Sequence, residues 1–251
     1  MSQMALASEA EVSTRHISFV ETGRAKPSRE MILILASVMN VPLRERNAIL
    51  TAAGFTPAYR TTDLSAPEMA PVRRALDFIL KAQEPYGALV LDRRWDILMS
   101  NQGGTRMTSL LVPDPAPMLA DGPPNLLRLL LHPLGLRRSI SNWEEVARVT
   151  LQRAHRELAV ENDDALREVM DQALAYPGVP KDFRSIDVVD VPPILYPIEF
   201  AVFGQNIRMF TTITTLGTAQ DITLQELRVE CFFPADEASE LALRALASST
   251  S

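Results

Sequence analysis

Cysteine occurs once in this chain, at Cys231, and histidine three times, at His16, His132 and His155. A lone thiol forms no internal disulfide, so the expected location is a reducing cytoplasm. Cys231 alternates with apolar neighbours and reads as a buried thiol rather than a redox sensor. The histidines are scattered, and neither His-x-x-x-His nor Cys-x-x-Cys spacing occurs, so no metal site is expected. No phosphate-binding loop or nucleophile elbow is present, and Gly103-Gly104 lacks the spacing and third glycine of a dinucleotide fingerprint. With no catalytic constellation, the chain is not expected to be an enzyme or to need a cofactor. Long apolar runs are missing too. The richest, Leu126 to Leu136, is interrupted by Arg128, His132 and Pro133 and falls short of the ~18 residues that span a bilayer. No charged-then-apolar leader opens the chain, so neither secretion nor a membrane partner is expected.

What is present suffices for a core. The 251 residues are 47% hydrophobic with a mean hydropathy of +0.02, enough for one small and one medium domain. Charge is uneven. Residues 1–60 hold 7 Lys/Arg against 5 Asp/Glu, whereas the remainder holds 18 against 26. An acidic surface repels a phosphate backbone, so any contact with nucleic acid belongs to the N-terminal part.

That part reads as short helices. Gln3 to Ala10 offers Met4, Leu6 and Ala7 for packing. Ser13 is a good N-cap for a helix over Thr14–Glu21, since its hydroxyl accepts from an unpaired backbone N–H. Ile17 and Val20 fall on one side of that helix, leaving Thr14, Arg15, Ser18 and Phe19 on the other. Gly23 suits a left-handed stop. Pro27-Ser28 starts a further helix with Met31, Ile32, Leu35, Ala36 and Met39 inward, and Pro42 starts another that runs to Gly54 with Leu43, Ala48, Ile49 and Leu50 on its apolar side.

The pattern Ser2-Gln3, Val12-Ser13, Ile17, Glu21-Thr22-Gly23-Arg24 and Pro27-Ser28 resembles the Xre/Cro, or lambda-repressor-like, helix-turn-helix family over about residues 1–60. The resemblance implies that Thr14–Glu21 enters the major groove of double-stranded DNA. By position, Thr14, Arg15 and Phe19 would face bases, Arg15 as a bidentate partner of guanine and Phe19 against a thymine methyl. Gln3, Ser13, Arg24 and Lys26 would hold phosphates and set register. Each has a plainer alternative: Ser13 as a helix cap, Arg24 and Lys26 as solvated loop charges, Phe19 as a packing residue. Glu11 stands where the family has glycine, and a left-handed conformation there would cost roughly 1–2 kcal/mol. The family also has a preceding first helix, which would cover Leu6, Ile17, Val20 and Leu35. Met1 falls where leucine is common before Ser-Gln, so the natural protein is expected to begin upstream.

Residues 61–71 read as a linker. A larger domain is expected over 72–240, with 241–251 as a tail. Pro71 opens a helix, Ala88–Asp92 and Asp96–Ser100 are short strands about an Arg93-Arg94 turn, and a helical middle follows. Leu126–Leu131 is one helix there. Ser141-Asn-Trp-Glu144 reads as a capping box for a longer one, and Asp163-Asp164 caps the next. Period-two alternation then marks strands at Tyr196–Val202, Ile207–Ile213 and Leu227–Phe233, with Gly204-Gln205 as a hairpin turn, glycine first. The fold class expected is therefore an all-α helix-turn-helix domain followed by an α+β domain, a PAS-like antiparallel sheet with inserted helices.

The stretches Leu91-Asp-Arg-Arg-Trp-Asp-Ile-Leu-Met-Ser-Asn101, Asn125-Leu-Leu-Arg-Leu-Leu-Leu-His-Pro133, Trp143-Glu-Glu-Val-Ala147, Asp221-Ile-Thr-Leu224, Glu226-Leu-Arg-Val-Glu230 and Phe233-Pro-Ala-Asp236 resemble the ligand-binding domain of the MmyB-like regulators, a subgroup of Xre-type transcription factors. The resemblance implies a small apolar or lipid-like effector between sheet and helices. A pocket of that kind needs apolar walls and a few polar anchors. Ile97, Met99, Ile198, Phe200, Met209 and Cys231 are the wall candidates, each read in the first place as plain core. Arg153 is the candidate anchor for a carboxylate, or a salt-bridged helix charge. The expectation is a ligand-controlled, sequence-specific DNA-binding regulator that acts as a homodimer on a palindromic operator. The alternative is a ligand-binding protein that has lost DNA binding through absence of the first helix.

Overall fold

The computed structural model describes residues 1–120, 122–161, 163–183, 196–202 and 204–248. In chain order the elements are α1 (Gln3–Glu9), α2 (Thr14–Glu21), α3 (Arg29–Val38), α4 (Leu43–Ala52), α5 (Ala70–Ala82), β1 (Ala88–Leu91), β2 (Ile97–Ser100), α6 (Gln102–Leu111), α7 (Ala116–Leu119), α8 (Leu126–Leu131), α9 (Trp143–Glu161), α10 (Asp164–Ala175), β3 (Ile198–Val202), β4 (Gln205–Thr215), α11 (Ile222–Glu226), β5 (Arg228–Pro234) and α12 (Glu237–Ser248). They divide into two compact units. One is Met1–Asp63 together with Gly217–Gln225, and the other is Leu64–Leu216 together with Glu226–Ser251.

In the first unit three serines start three helices. Ser2, Ser13 and Ser28 each accept from the backbone N–H three residues on, at 3.2 Å, which satisfies a donor the helix itself leaves unpaired. Gly23, with φ 69°, ends α2, and Gly54, with φ 84°, follows α4. Glu11 turns α1 into α2 at φ 54°, the left-handed conformation that the sequence places on a non-glycine residue. Ala7, Ile17, Ile32, Ala36, Leu43 and Leu50 form the buried side. Of the four side chains that a preceding helix would cover in the resembling family, Ile17 is buried and Leu6, Val20 and Leu35 are half-buried. Met1, Met4, Ile34, Met39 and Ile49 are the exposed large apolar residues of this unit, so Met39 and Ile49 turn outward from the sides expected to bury them.

The second unit is a five-stranded antiparallel sheet in the order β2-β1-β5-β4-β3, with α6 to α10 inserted between β2 and β3. One sheet face, with Leu89, Leu91, Phe200, Ile207 and Met209, shares a single core with Leu127, Leu131, Ala147, Leu151 and Leu166 from α8, α9 and α10. This is the α+β arrangement, an antiparallel sheet with inserted helices, that the alternating and helical stripes point to.

Several local expectations shift. Val202 pairs with Gln205, so Gln205 belongs to β4 and not to the turn, while Gly204 has φ 76°. The capping box also moves, because α9 starts at Trp143. Asn142 then precedes the helix, and its side chain is drawn to β3: Oδ1 accepts from Glu199 N–H at 3.1 Å and Nδ2 donates to the Pro197 carbonyl at 2.8 Å. Of the expected tail, residues 241–248 belong to α12, which buries Leu243 in the core, and 249–251 lie outside the described residues. Within 61–71, Thr62 is tied by hydrogen bonds, Pro67–Met69 makes a helical turn and Met69 is buried.

Candidate functional site

α2 is eight residues long and fixed at both ends. Its N-terminus is capped by Ser13. At its C-terminus the Thr22 hydroxyl donates to the Ser18 carbonyl at 2.7 Å, and the Phe19 carbonyl accepts from Arg24 and Ala25 N–H at 2.8 and 3.0 Å. Ile17 anchors the inner side, while Thr14 and Arg15 are exposed and Phe19 is half-buried. The Arg15 guanidinium lies 5.1 Å from the centroid of the Phe19 ring, a cation–π contact that restricts the arginine before any partner arrives. Of the four phosphate candidates, Arg24 and Lys26 are exposed. The Ser13 hydroxyl is occupied as a cap, and the Gln3 amide donates to the Glu21 carboxylate. Thr14, Arg15 and Phe19 thus share the outer side of one rigid helix.

The second unit holds a cavity of about 40 Å3 between sheet and helices. The sheet contributes Leu89, Phe200, Met209 and Phe232; α6 contributes Gly104, Met107, Thr108 and Leu111; α8 contributes Leu126 and Leu129. None of these is charged. Thr108 is the one hydroxyl, and it already donates to the Gly104 carbonyl at 3.0 Å. The space is above the roughly 10–15 Å3 that one water needs, but below the roughly 150 Å3 of an engineered cavity that accepts benzene. A larger guest must displace side chains, and the unbranched Met107 and Met209 are well suited to yield.

Two asparagines set this geometry. Asn101 is buried and fully used: Oδ1 accepts from Ala88 and Gly104 N–H, and Nδ2 donates to the Leu80 and Tyr86 carbonyls. It caps α6 while tying it to β1. Asn125 does the same for α8, accepting from Leu127 and Arg128 N–H and donating to the Arg94 carbonyl and the Asp96 carboxylate. In the sequence both lie within the longer stretches that resemble the MmyB-like regulators, and their N-cap positions just ahead of α6 and α8 are the signal that marks them. Gly103-Gly104 has a packing role: a Cβ on Gly103 would meet the Tyr86 carbonyl oxygen at 2.5 Å.

Among the expected wall residues, Phe200 and Met209 line the cavity. Ile97 and Ile198 pack on the same core without reaching it. Met99 and Cys231 do not join them. They pair with Val90 and Ala88, residues that alternate with Leu89 and Leu91 and so point to the opposite face of the sheet. Burial there, and then the Glu230 charge, push the Cys231 thiol pKa up. Arg153 is absent from the lining too. Its guanidinium lies 4.2 Å from the Trp95 ring centroid and pairs with Glu157 at 3.1 Å and Glu230 at 3.2 Å. Two carboxylates beside one arginine explain why it is held away from a ligand. His132 and His155 make edge contacts with Tyr176 and Phe183.

A helix-turn-helix unit covalently joined to a sheet-and-helix unit with an apolar cavity defines a DNA-binding transcription regulator that carries a ligand-binding domain. The chain belongs to the MmyB-like transcription regulators, whose ligand-binding-domain model matches residues 72–246. A helix-turn-helix family model matches residues 1–46. Among solved structures, the chain is similar to the PAS domain of BvgS from Bordetella pertussis, at 14% identity and a TM-score of 0.28, over 70% of this chain and 97% of that one. It is also similar to an RNA-binding light-oxygen-voltage receptor, at 12% identity and a TM-score of 0.25, over 99% of this chain and 56% of that one. No curated protein matches. Among the described residues, no helix is long and apolar enough to cross a membrane.

Proposed function

We propose that this regulator binds a palindromic operator in the cytoplasm as a homodimer, reads it with Thr14, Arg15 and Phe19, and responds to a small apolar, fatty-acid-like effector seated in the cavity. The observation that carries the ligand class is the lining: apolar side chains with no charged group among them. An ionised head buried there would be unpaired, at a cost of several kcal/mol, so the effector buries an apolar body and leaves any charged end outside. The role is binding, not catalysis. A molecule that prefers one arrangement of the ligand-binding domain shifts the population of that arrangement, and with it the affinity for DNA.

Operator selection from a random DNA pool, followed by native mass spectrometry of the purified protein, tests the reading. The expected results are an enriched inverted repeat with half-sites about one helical turn apart, and an apolar adduct released by organic solvent. Enrichment of no sequence contradicts operator reading. A purified chain that carries no adduct and takes up neither decanoate nor decanol contradicts the effector class.

A further inference from the structure

We propose that the connection between β4 and β5, Gly217–Gln225, is the element that carries a change in the cavity to the DNA-reading unit. In sequence this stretch is only a link between neighbouring strands of the ligand-binding sheet, yet it folds as part of the first unit. It is held there at three points. The Asp221 carboxylate accepts from the Thr62 hydroxyl at 2.6 Å and the Thr62 N–H at 3.4 Å. Ile222, 2% exposed, donates its N–H to the Arg60 carbonyl at 2.9 Å. Gln225 Oε1 accepts from the Leu43 N–H at 2.7 Å. That last bond supplies what the local sequence lacks. α4 is preceded by Pro42, which has no side-chain acceptor, whereas the three helices before it are capped by serine. An unpaired donor at a helix start is thus satisfied by a residue 182 positions away.

The other end of the element is equally well defined. Its roots are Thr215 and Arg228, paired across β4 and β5. Arg228 pairs with Glu157 at 2.5 Å, and Glu157 also accepts from Trp95 Nε1 at 2.9 Å. Along the same two strands lie Met209 and Phe232, both lining the cavity. A guest that displaces those side chains acts on the strands that end in the clasp. The clasp holds the first turn of α4, which packs on α3, which in turn packs on α1, the neighbour of α2. This inference rests on the reading of the cavity as the effector site and of α2 as the DNA reader.

The test is hydrogen exchange of the α4 amides in the full chain. Thr108→Leu fills the cavity from within, and Leu129→Phe serves as an independent filler. Each is made alone and together with Asp221→Ala plus Gln225→Ala. Fluorescence of Trp95 and Trp143 checks that the ligand-binding domain stays folded. With the clasp intact, a filler is expected to change α4 exchange by about fivefold or more; with the clasp removed, that change should vanish. An equal change without the clasp, or no change with it, overturns the proposal. DNA binding measured in parallel separates the two readings, because its absence would sink the regulator while leaving the exchange result standing.

Discussion

Arg153 on α9 meets Glu230 on β5 at 3.2 Å, and the Glu230 side chain is only 8% exposed. Removing the arginine strands a buried charge. Arg153→Met is expected to lower stability by about 3 kcal/mol, and adding Glu230→Met should restore most of it, because a matched apolar pair replaces a buried ion pair at little cost. Urea unfolding of the single and double variants checks this. A double variant no more stable than Arg153→Met would contradict the pairing.

Glu11 occupies a left-handed conformation at φ 54° between α1 and α2. Glycine adopts it without the Cβ clash. Glu11→Gly should therefore raise the urea midpoint, by about 1 kcal/mol in stability. A loss of stability would mean that the glutamate side chain contributes more than its backbone strain costs.

Gly103 tests the seating of α6, which carries Gly104, Met107, Thr108 and Leu111 of the cavity lining. A methyl group there meets the Tyr86 and Pro85 carbonyl oxygens at 2.5 and 2.6 Å, both rigid backbone atoms. Gly103→Ala is expected to cost about 1–3 kcal/mol and to weaken uptake of an apolar probe. Thermal unfolding and dye displacement measure the two effects. Unchanged values in both would show that α6 can move away from the Pro85–Tyr86 segment freely.

Burial is the largest cause of the raised pKa of Asp92; the charge of Asp96 adds to it, while the N–H donors of Asp96 and Arg94 oppose it. The folded chain thus keeps this proton to higher pH than the unfolded chain, whose value is about 3.9. Its contribution to stability falls as pH rises through the interval between the two values. Asp92→Asn keeps an oxygen acceptor for the two N–H groups, which Asp92 Oδ1 accepts at 2.8 and 2.9 Å, and removes the charge. The variant should be more stable than the parent at pH 7, with the difference closing toward pH 3. A variant less stable at pH 7 would reverse the assignment.

Much of this molecule is legible in its sequence. Ser13, Ile17 and Gly23 specify α2 through local chemistry, and the alternation at Phe200, Ile207 and Met209 specifies which sheet face meets the core. What was not legible depends on distant partners. The Asn142 Oδ1 accepts from Glu199 of β3 rather than from the first N–H groups of α9, which no local capping rule anticipates. Met99 alternates on the wrong side because the β1–β2 pairing shifts register between Val90 and Leu91. Arg153 reads as a free anchor until Glu230, 77 residues on, is brought beside it. Residues 217–225 read as part of one domain and fold with the other, because their three anchors, Leu43, Arg60 and Thr62, lie at the far end of the chain.

The most direct test of the account is the affinity of Arg15→Ala for the selected operator and for single-base variants at each position, at fixed salt. If Arg15 reads a base, the substitution costs about 1–3 kcal/mol on the operator and relaxes discrimination at one position of each half-site. A loss of equal size on every DNA sequence, or none at all, would contradict the claim that the outer side of Thr14–Glu21 reads DNA.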